Sequence, residues 1–237
     1  MQGHYNSVIR GRYEGNYEFN RWFKTPRLRL DYCMMYMSLT HHLEQYAFRN
    51  CLELGPGPGT WTRLLYRKNT VAHFDLVDIS KEMQEQFALE MRMQPNVSYV
   101  VSDFMEFEGN IYDFFFSSRA VEYLEDKGAF LQKLNTLLSD SAYGVIVTKN
   151  PQHGFRKKGH VSTQHSGQIA PKECADMLTQ NGFIVEGIHP VILRIPFLDR
   201  VSLRPVEWLF KSVYKKPLMR SIAPFVESYA VLFRKAV

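Results

Sequence analysis

Gly55, Gly57 and Gly59 stand at alternate positions in Cys51-Leu52-Glu53-Leu54-Gly55-Pro56-Gly57-Pro58-Gly59-Thr60, directly after an apolar stretch. An apolar strand that ends in such a run and opens into a helix builds a cradle for a nucleotide. Glycine lets backbone approach a ligand closely, and the first turn of the helix offers unpaired N–H groups. An ordinary tight strand-to-helix turn would account for the glycines taken alone. Two acids narrow the choice. Asp78 follows Gly59 by 19 residues and closes the apolar stretch from Val71 to Val77, near the interval at which a carboxylate reaches ribose hydroxyls in a βαβ nucleotide site. Asp103, followed by Phe104, closes a third stretch from Val97 to Val101. Each acid by itself would pass for a strand-end turn or helix-cap residue. Together, the cradle and both acids fall at the carboxyl edge of three successive β-α units, where doubly wound sheets bind their ligands.

With these residues in place the chain resembles the class I S-adenosylmethionine-dependent methyltransferases of the small-molecule type. The motifs are Glu53-Leu54-Gly55-Pro56-Gly57-Pro58-Gly59, then Asp78, then Asp103-Phe104, and finally Ile111 to Tyr123 as a fourth strand and its following loop. The resemblance covers about residues 50 to 150. It implies S-adenosyl-L-methionine as cofactor and S-adenosyl-L-homocysteine as product. It also implies that the glycine loop packs beside the methionine part, that Asp78 takes both ribose hydroxyls, and that Asp103 takes the adenine amino group with Phe104 packed near the base. Glu53, Ile79, Ser118 and Arg119 complete the implied cofactor-binding set. A nicotinamide dehydrogenase fits less well, because its fingerprint wants glycine at the first, third and sixth places to seat a pyrophosphate, and the sixth place here is Thr60.

Positioning these residues requires a sheet with helices on both sides. At 237 residues and 45% apolar content, the chain is long enough to bury the core of one large α/β domain. Met35, Leu39, Leu43 and Tyr46 recur at helical spacing and predict a helix from about 31 to 47. Ser80 is placed to cap a helix beginning near Lys81. Phe130, Leu131, Leu134, Leu137 and Leu138 mark another helix, followed by a fifth strand from Tyr143 to Thr148. Lys172 to Gln180 predicts a helix stopped by Asn181-Gly182, and strands near Phe183 to Ile188 and Ser228 to Phe233 bring the number to seven. The expectation is a Rossmann-like, doubly wound, seven-stranded and mostly parallel sheet with right-handed crossovers, its last strand antiparallel by resemblance. The whole chain, 1–237, is expected to be a single domain: an N-terminal helical cap (1–47), a cofactor-binding core (48–150), and substrate-side loops with the last strands (151–237), including an insertion over 189–226.

Charge is distributed unevenly. Residues 1–30 carry +4, residues 31–148 carry −7 and residues 149–237 carry +8, for a net +5. An acidic cofactor core between basic flanks points to an anionic acceptor or surface, although a solvated basic exterior would give the same numbers. Val206, Leu209, Phe210 and Val213 share a helical face with Lys211, Lys215, Lys216 and Arg220 nearby, which suggests peripheral membrane contact through 203–220 or packing on the protein's own core. No apolar stretch approaches the roughly 20 residues needed to span a bilayer, and Met1-Gln2-Gly3-His4-Tyr5 lacks a signal peptide's apolar core, so a cytoplasmic protein is expected, as monomer or homodimer. Cys33, Cys51 and Cys174 are too few and too scattered for a disulfide frame or zinc site; buried, reduced thiols and no metal are expected.

A sulfonium already activates its methyl group, so the protein gains most by aligning the acceptor and excluding water. An oxygen acceptor also calls for a general base. His153, His160 and His165 lie in the loop after the fifth strand; His165 and His153 are the candidate catalytic residues, and His160, Tyr17 and Tyr123 candidate acceptor-binding residues. A hydrogen-bonded loop histidine is the plainer alternative. Asn150-Pro151-Gln152-His153 lies one strand too late, and lacks the second proline and the tyrosine, for the signature of amino-methylating enzymes. Arg21 or Arg27 could pair with the methionine carboxylate, with Trp22 and Phe23 as core anchors. The expected reaction is methyl transfer, preferentially to oxygen, on a small-molecule or sugar- or lipid-linked acceptor. RNA is the second acceptor class, favoured by the basic flanks but by no RNA-binding module, and a non-catalytic cofactor-binding regulator or partner subunit is the alternative of a different kind.

Overall fold

The computed structural model describes residues 16–154, 167–194, 210, 213–218 and 223–237. Seven strands form one sheet: β1 (Asn50–Leu54), β2 (His73–Asp78), β3 (Val97–Val101), β4 (Tyr112–Ser118), β5 (Leu138–Lys149), β6 (Phe183–Leu193) and β7 (Val226–Lys235). Their order across the sheet is β3-β2-β1-β4-β5-β7-β6. The first five run parallel, and β7 enters antiparallel between β5 and β6. Because crossover helices cover parallel strands on both faces, such strands are apolar nearly throughout. Phe114, Phe115 and Phe116 are accordingly all fully buried on β4, with Phe48 stacked on Phe114 at 4.6 Å.

The predicted strand set and order of elements hold, with corrected boundaries. The helix expected from 31 spans Pro26–Leu43, because Thr25 caps it by accepting from the Leu28 N–H (3.3 Å) and Pro26 occupies its first turn. A cap and a proline at that position start a helix irrespective of where the apolar stripe begins. β2 starts at His73 rather than Val71, which is 88% exposed. β5 begins at Leu138, five residues before the expected Tyr143; Ser141 takes a left-handed backbone (φ 62°), and the β4–β5 register shifts between Tyr112 and Phe114. β6 continues through Pro190 to Leu193, since an edge strand tolerates a proline that cannot donate inward. The insertion expected from 189 therefore begins only after this strand. Ser80 caps its helix as expected, accepting from the Met83 N–H at 3.3 Å, and Gly182 stops the helix Pro171–Gln180 with φ 83°. Cys51 and Cys174 are buried free thiols, whereas Cys33 is only half-buried. Among the described residues no helix is long and apolar enough to cross a membrane.

Candidate functional site

At the carboxyl edge of β1 the chain turns on Gly55 (φ 71°), Gly57 (φ 56°) and Gly59 (φ 87°). Gly55 N–H donates to the Val77 carbonyl at 2.8 Å, extending the β1–β2 pairing into the loop. A side-chain carbon on Gly55 would lie 2.3 Å from Ala120 Cβ, in the loop after β4. Gly57 is different: a side-chain carbon there would meet nothing nearer than Met83 Sδ at 3.8 Å, so its left-handed backbone demands glycine while the space beside it stays open.

Asp78 closes β2 beside this loop and is 5% exposed. Its Oδ2 accepts from the Gly57 N–H at 3.1 Å and its Oδ1 from the Ser80 N–H at 2.9 Å. Burial nevertheless raises the carboxyl to about 6, because these hydrogen bonds offset the desolvation only in part. Glu53, 1% exposed, accepts from Thr62 Oγ1 at 2.7 Å; burial lifts it to about 8. The Ile79 N–H and the Tyr99 hydroxyl also reach this carboxylate, so the hydroxyls of a ribose would compete there with the Tyr99 hydroxyl, which has a second acceptor in the Gly57 carbonyl at 3.3 Å. The buried hydroxyls of Thr60 and Ser118 have no hydrogen-bond partner among the described residues, and a polar ligand at this edge would supply one. A nucleoside cofactor therefore fits what the loop and β2 offer.

Farther along the same edge, the ends of β4, β5 and β6 and the start of β7 carry charge. Arg119, left-handed at φ 68° although not a glycine, pairs through Nε with Glu122 Oε1 at 2.8 Å and donates from Nη1 to Ser228 Oγ at 3.3 Å. Glu122 Oε1 also accepts from Thr148 Oγ1 (3.1 Å) and from the Lys149 N–H (2.8 Å). Lys149 Nζ lies 3.4 Å from Glu227 Oε1. Arg194, just past β6, contacts Glu227 through Nε and donates from Nη2 to Asp31 Oδ2 at 2.8 Å, tying the Pro26–Leu43 helix to the sheet. Burial alone would raise Glu227, but Arg194, then Lys149 and Arg119, hold it down to about 2. Desolvation, reinforced by Arg119, brings Lys149 down to about 8.

The expected cofactor residues Glu53, Gly55, Gly57, Gly59, Asp78, Ile79, Ser118 and Arg119 all come to this edge, on the ends of β1, β2 and β4. Asp103 is exposed in the turn after β3, accepting from the Met105 N–H at 2.9 Å, whereas the Phe104 ring is 2% exposed and packs on Phe130 at 5.1 Å, so it is spent in the core. Tyr17 is half-buried and its N–H donates to Gln86 Oε1 at 2.8 Å; Glu18 pairs with Arg63. Through these two contacts the N-terminal segment spans from the helix after Asp78 to the helix after the glycine loop. Arg21 lies over the Trp22 ring at 4.1 Å, while Arg27 is exposed. Tyr123 is half-buried in the short helical turn after β4. His153 Nδ1 is 3.1 Å from the Asn150 carbonyl. Asn150 is 2% exposed and donates to the Ala223 and Val226 carbonyls, holding β5 to the start of β7. His160, His165 and much of 203–220 lie outside the described residues. Of that apolar stripe Phe210 is buried and Val213 half-buried, and Phe210 stacks on Tyr214 at 5.5 Å, facing the protein's own core. Sequence reasoning missed Glu122, Lys149, Arg194, Glu227 and Asp31 as one cluster. The available signal was a charge at the end of each apolar strand, Lys149 after Val145-Ile146-Val147-Thr148 and Glu227 before the apolar run of β7.

Comparison with known proteins agrees with this geometry. Residues 52–146 match the family model described as a methyltransferase domain. A malonyl-[acyl-carrier protein] O-methyltransferase of Ilyobacter polytropus is 28% identical over 90 residues, which span 38% of this chain and 34% of that protein. The N-methyltransferase NodS of Bradyrhizobium japonicum, solved in complex with S-adenosyl-l-homocysteine, superimposes with a TM-score of 0.60 at 13% identity, over 98% of this chain and 97% of its own. A SAM-dependent methyltransferase of Archaeoglobus fulgidus superimposes with a TM-score of 0.61 at 17% identity, over 98% and 100% of the two chains. At these identities the superpositions speak for the fold.

Proposed function

We propose that this chain, whose residues 52–146 are a methyltransferase domain of the class I, S-adenosylmethionine-dependent kind, transfers a methyl group to oxygen on a small-molecule or sugar- or lipid-linked acceptor. The observation that carries the reading is Asp78: a buried carboxyl beside an open glycine loop, held by two backbone N–H groups at 3.1 and 2.9 Å. When bound, the cofactor supplies a methyl group already activated on a sulfonium. The chain's own residues bind, orient and exclude water. Gly55, Gly57 and Gly59 line the methionine part, Asp78 and Ile79 hold the ribose, and Asp103 receives the adenine amino group. Thr60 and Ser118 offer their hydroxyls to the polar end of the amino acid. The acceptor lies on the side of β5, β7 and residues 151–237, whose excess of base suits an anionic molecule. Oxygen as the acceptor atom is supported by the O-methyltransferase relative.

The test is transfer of a radiolabelled methyl group into host extract separated into lipid, soluble small-molecule, RNA and protein fractions, with Asp78→Ala as control. Label in the lipid or small-molecule fraction that disappears with the variant supports the proposal; label confined to RNA or protein overturns its acceptor class. No label in any fraction from a protein that binds the cofactor would favour a non-catalytic regulator or partner subunit.

A further inference from the structure

Each arginine of the charged edge has a carboxylate of its own. Glu122 holds Arg119 at 2.8 Å, while Asp31 and Glu227 clamp Arg194 from two sides. Lys149 has only a share of Glu227, at 3.4 Å, and that carboxylate is in closer contact with Arg194. The lysine side chain is 23% exposed, enough for one face to meet a ligand. Every element packed around it presents charge: Arg119 and Glu122 from the loop after β4, Glu227 from β7, Arg194 from the end of β6, Asp31 from the Pro26–Leu43 helix, and Arg21 from the N-terminal segment, whose field also reaches Lys149. An amine withdrawn from water, with Arg119 opposing the pull of Glu227 and Glu122, loses its proton more easily than a surface lysine, and the neutral amine is the form in which lysine acts as a base. Its place suits the task. Lys149 ends β5 on the carboxyl edge, two strand positions from the glycine loop of β1, or roughly 10 Å at the usual strand spacing.

We propose that Lys149 is the general base of methyl transfer, its neutral Nζ taking the proton of a hydroxyl acceptor. This rests on the oxygen-acceptor reading above. As the acceptor oxygen bonds to the methyl carbon, the carbon–sulfur bond breaks and its electron pair stays on sulfur, leaving a neutral thioether. The hydroxyl proton ends on Nζ and passes to water before the next turnover. Arg119 and Arg194 share Glu122 and Glu227 with the lysine, which weakens the hold of each carboxylate on its ammonium form.

Wild type, Lys149→Arg and Lys149→Met test this in three measurements. Equilibrium dialysis with tritiated S-adenosylmethionine should give the same affinity for all three; absence of binding by wild type would remove the methyltransferase reading and this proposal with it. In the extract fraction that wild type labels, its transfer rate should climb about tenfold per pH unit from 6, reach half its maximum near 8 and level off above that. Both variants should lose at least about 100-fold, within the usual contribution of a general base. Lys149→Arg keeps the positive charge but cannot become neutral, so retention of more than about a tenth of the activity in it would overturn the proposal. So would a rising limb that survives in Lys149→Met, which would point to His153. Competitive acetylation of the full chain with acetic anhydride, read by peptide mass spectrometry, needs no acceptor. Lys149 should react ahead of the surface lysines at pH 7 with a midpoint near 8, and an unreactive Lys149, or a midpoint above about 10, would overturn the proposal.

Discussion

The two halves of the sheet's carboxyl edge solve the burial of acids in opposite ways. At the β1–β2 end, Glu53 and Asp78 are buried with hydroxyl and backbone N–H donors, and both are raised, to about 8 and about 6. At the β5–β7–β6 end, Glu227 is buried against cations and held down to about 2. The first arrangement suits the hydroxyl-rich part of a ligand. The second is an internally matched set of charges that fixes the loop after β4, the ends of β5 and β6, the start of β7 and the Pro26–Leu43 helix against one another. A cofactor edge built from backbone and a charge-locked edge beside it should answer mutation and pH with opposite signs.

The largest expected effect comes from unlocking the charges. Glu227→Ala leaves Arg194 and Lys149 without their shared carboxylate, and removing one partner of a buried pair costs about 3–5 kcal/mol; urea unfolding at pH 7 measures it, and a loss under about 1 kcal/mol would mean that the cluster does not act as a unit. Glu227 also sets a pH dependence. Its folded value lies below the ordinary 4.5, so its contribution is complete above that pH and disappears as pH falls from 4.5 through 2.

Next is Asp78→Ala, which removes the carboxylate proposed to accept both ribose hydroxyls. Each bond to a charged group contributes about 1.5 kcal/mol or more, so the cofactor dissociation constant should rise about 100-fold by equilibrium dialysis. In wild type the same constant should be flat above pH 6 and weaken about tenfold per unit below it, as the carboxyl takes up its proton. Affinity unchanged from pH 7 to 5 would show that Asp78 does not carry the hydroxyls.

The smallest effect has the opposite sign. Glu53 is raised above its ordinary 4.5 to about 8, so the fold favours its protonated form, and stability falls as pH rises through that window. Glu53→Gln should therefore stabilise the protein at pH 8, and leave it nearly unchanged at pH 5. Destabilisation at pH 8 would mean that the ionised acid has a partner, and the contrast between the two ends would fail.

How much of this was legible in the sequence follows from what is contiguous. The glycine loop and Asp78 are written in short runs, each with its strand beside it, and β3 matches its apolar run residue for residue. The helix start at Thr25-Pro26 was legible too, but an apolar stripe gives a helix's buried face rather than its end. Phe104, in the turn after β3, shows what a local motif leaves out, because its neighbour in space, Phe130, lies in the helix Lys127–Leu137. The charged edge was not legible: Asp31 and Arg194 are 163 residues apart, and only the antiparallel entry of β7 brings Glu227 beside Lys149. Pairwise charge across such separations has no periodicity to detect.

That entry of β7 also sets an order of assembly during synthesis. β7 leaves the ribosome after β6, yet it lies between β5 and β6. A nascent chain can pair β1 to β5 as they emerge, but β6 has no neighbour to join until residues 226–235 arrive. Until then β5 presents an open edge of backbone donors and acceptors, a template for unwanted strand pairing. The charged residues at its end, Lys149 above all, would guard that edge in the interval before they take up their places in the finished protein.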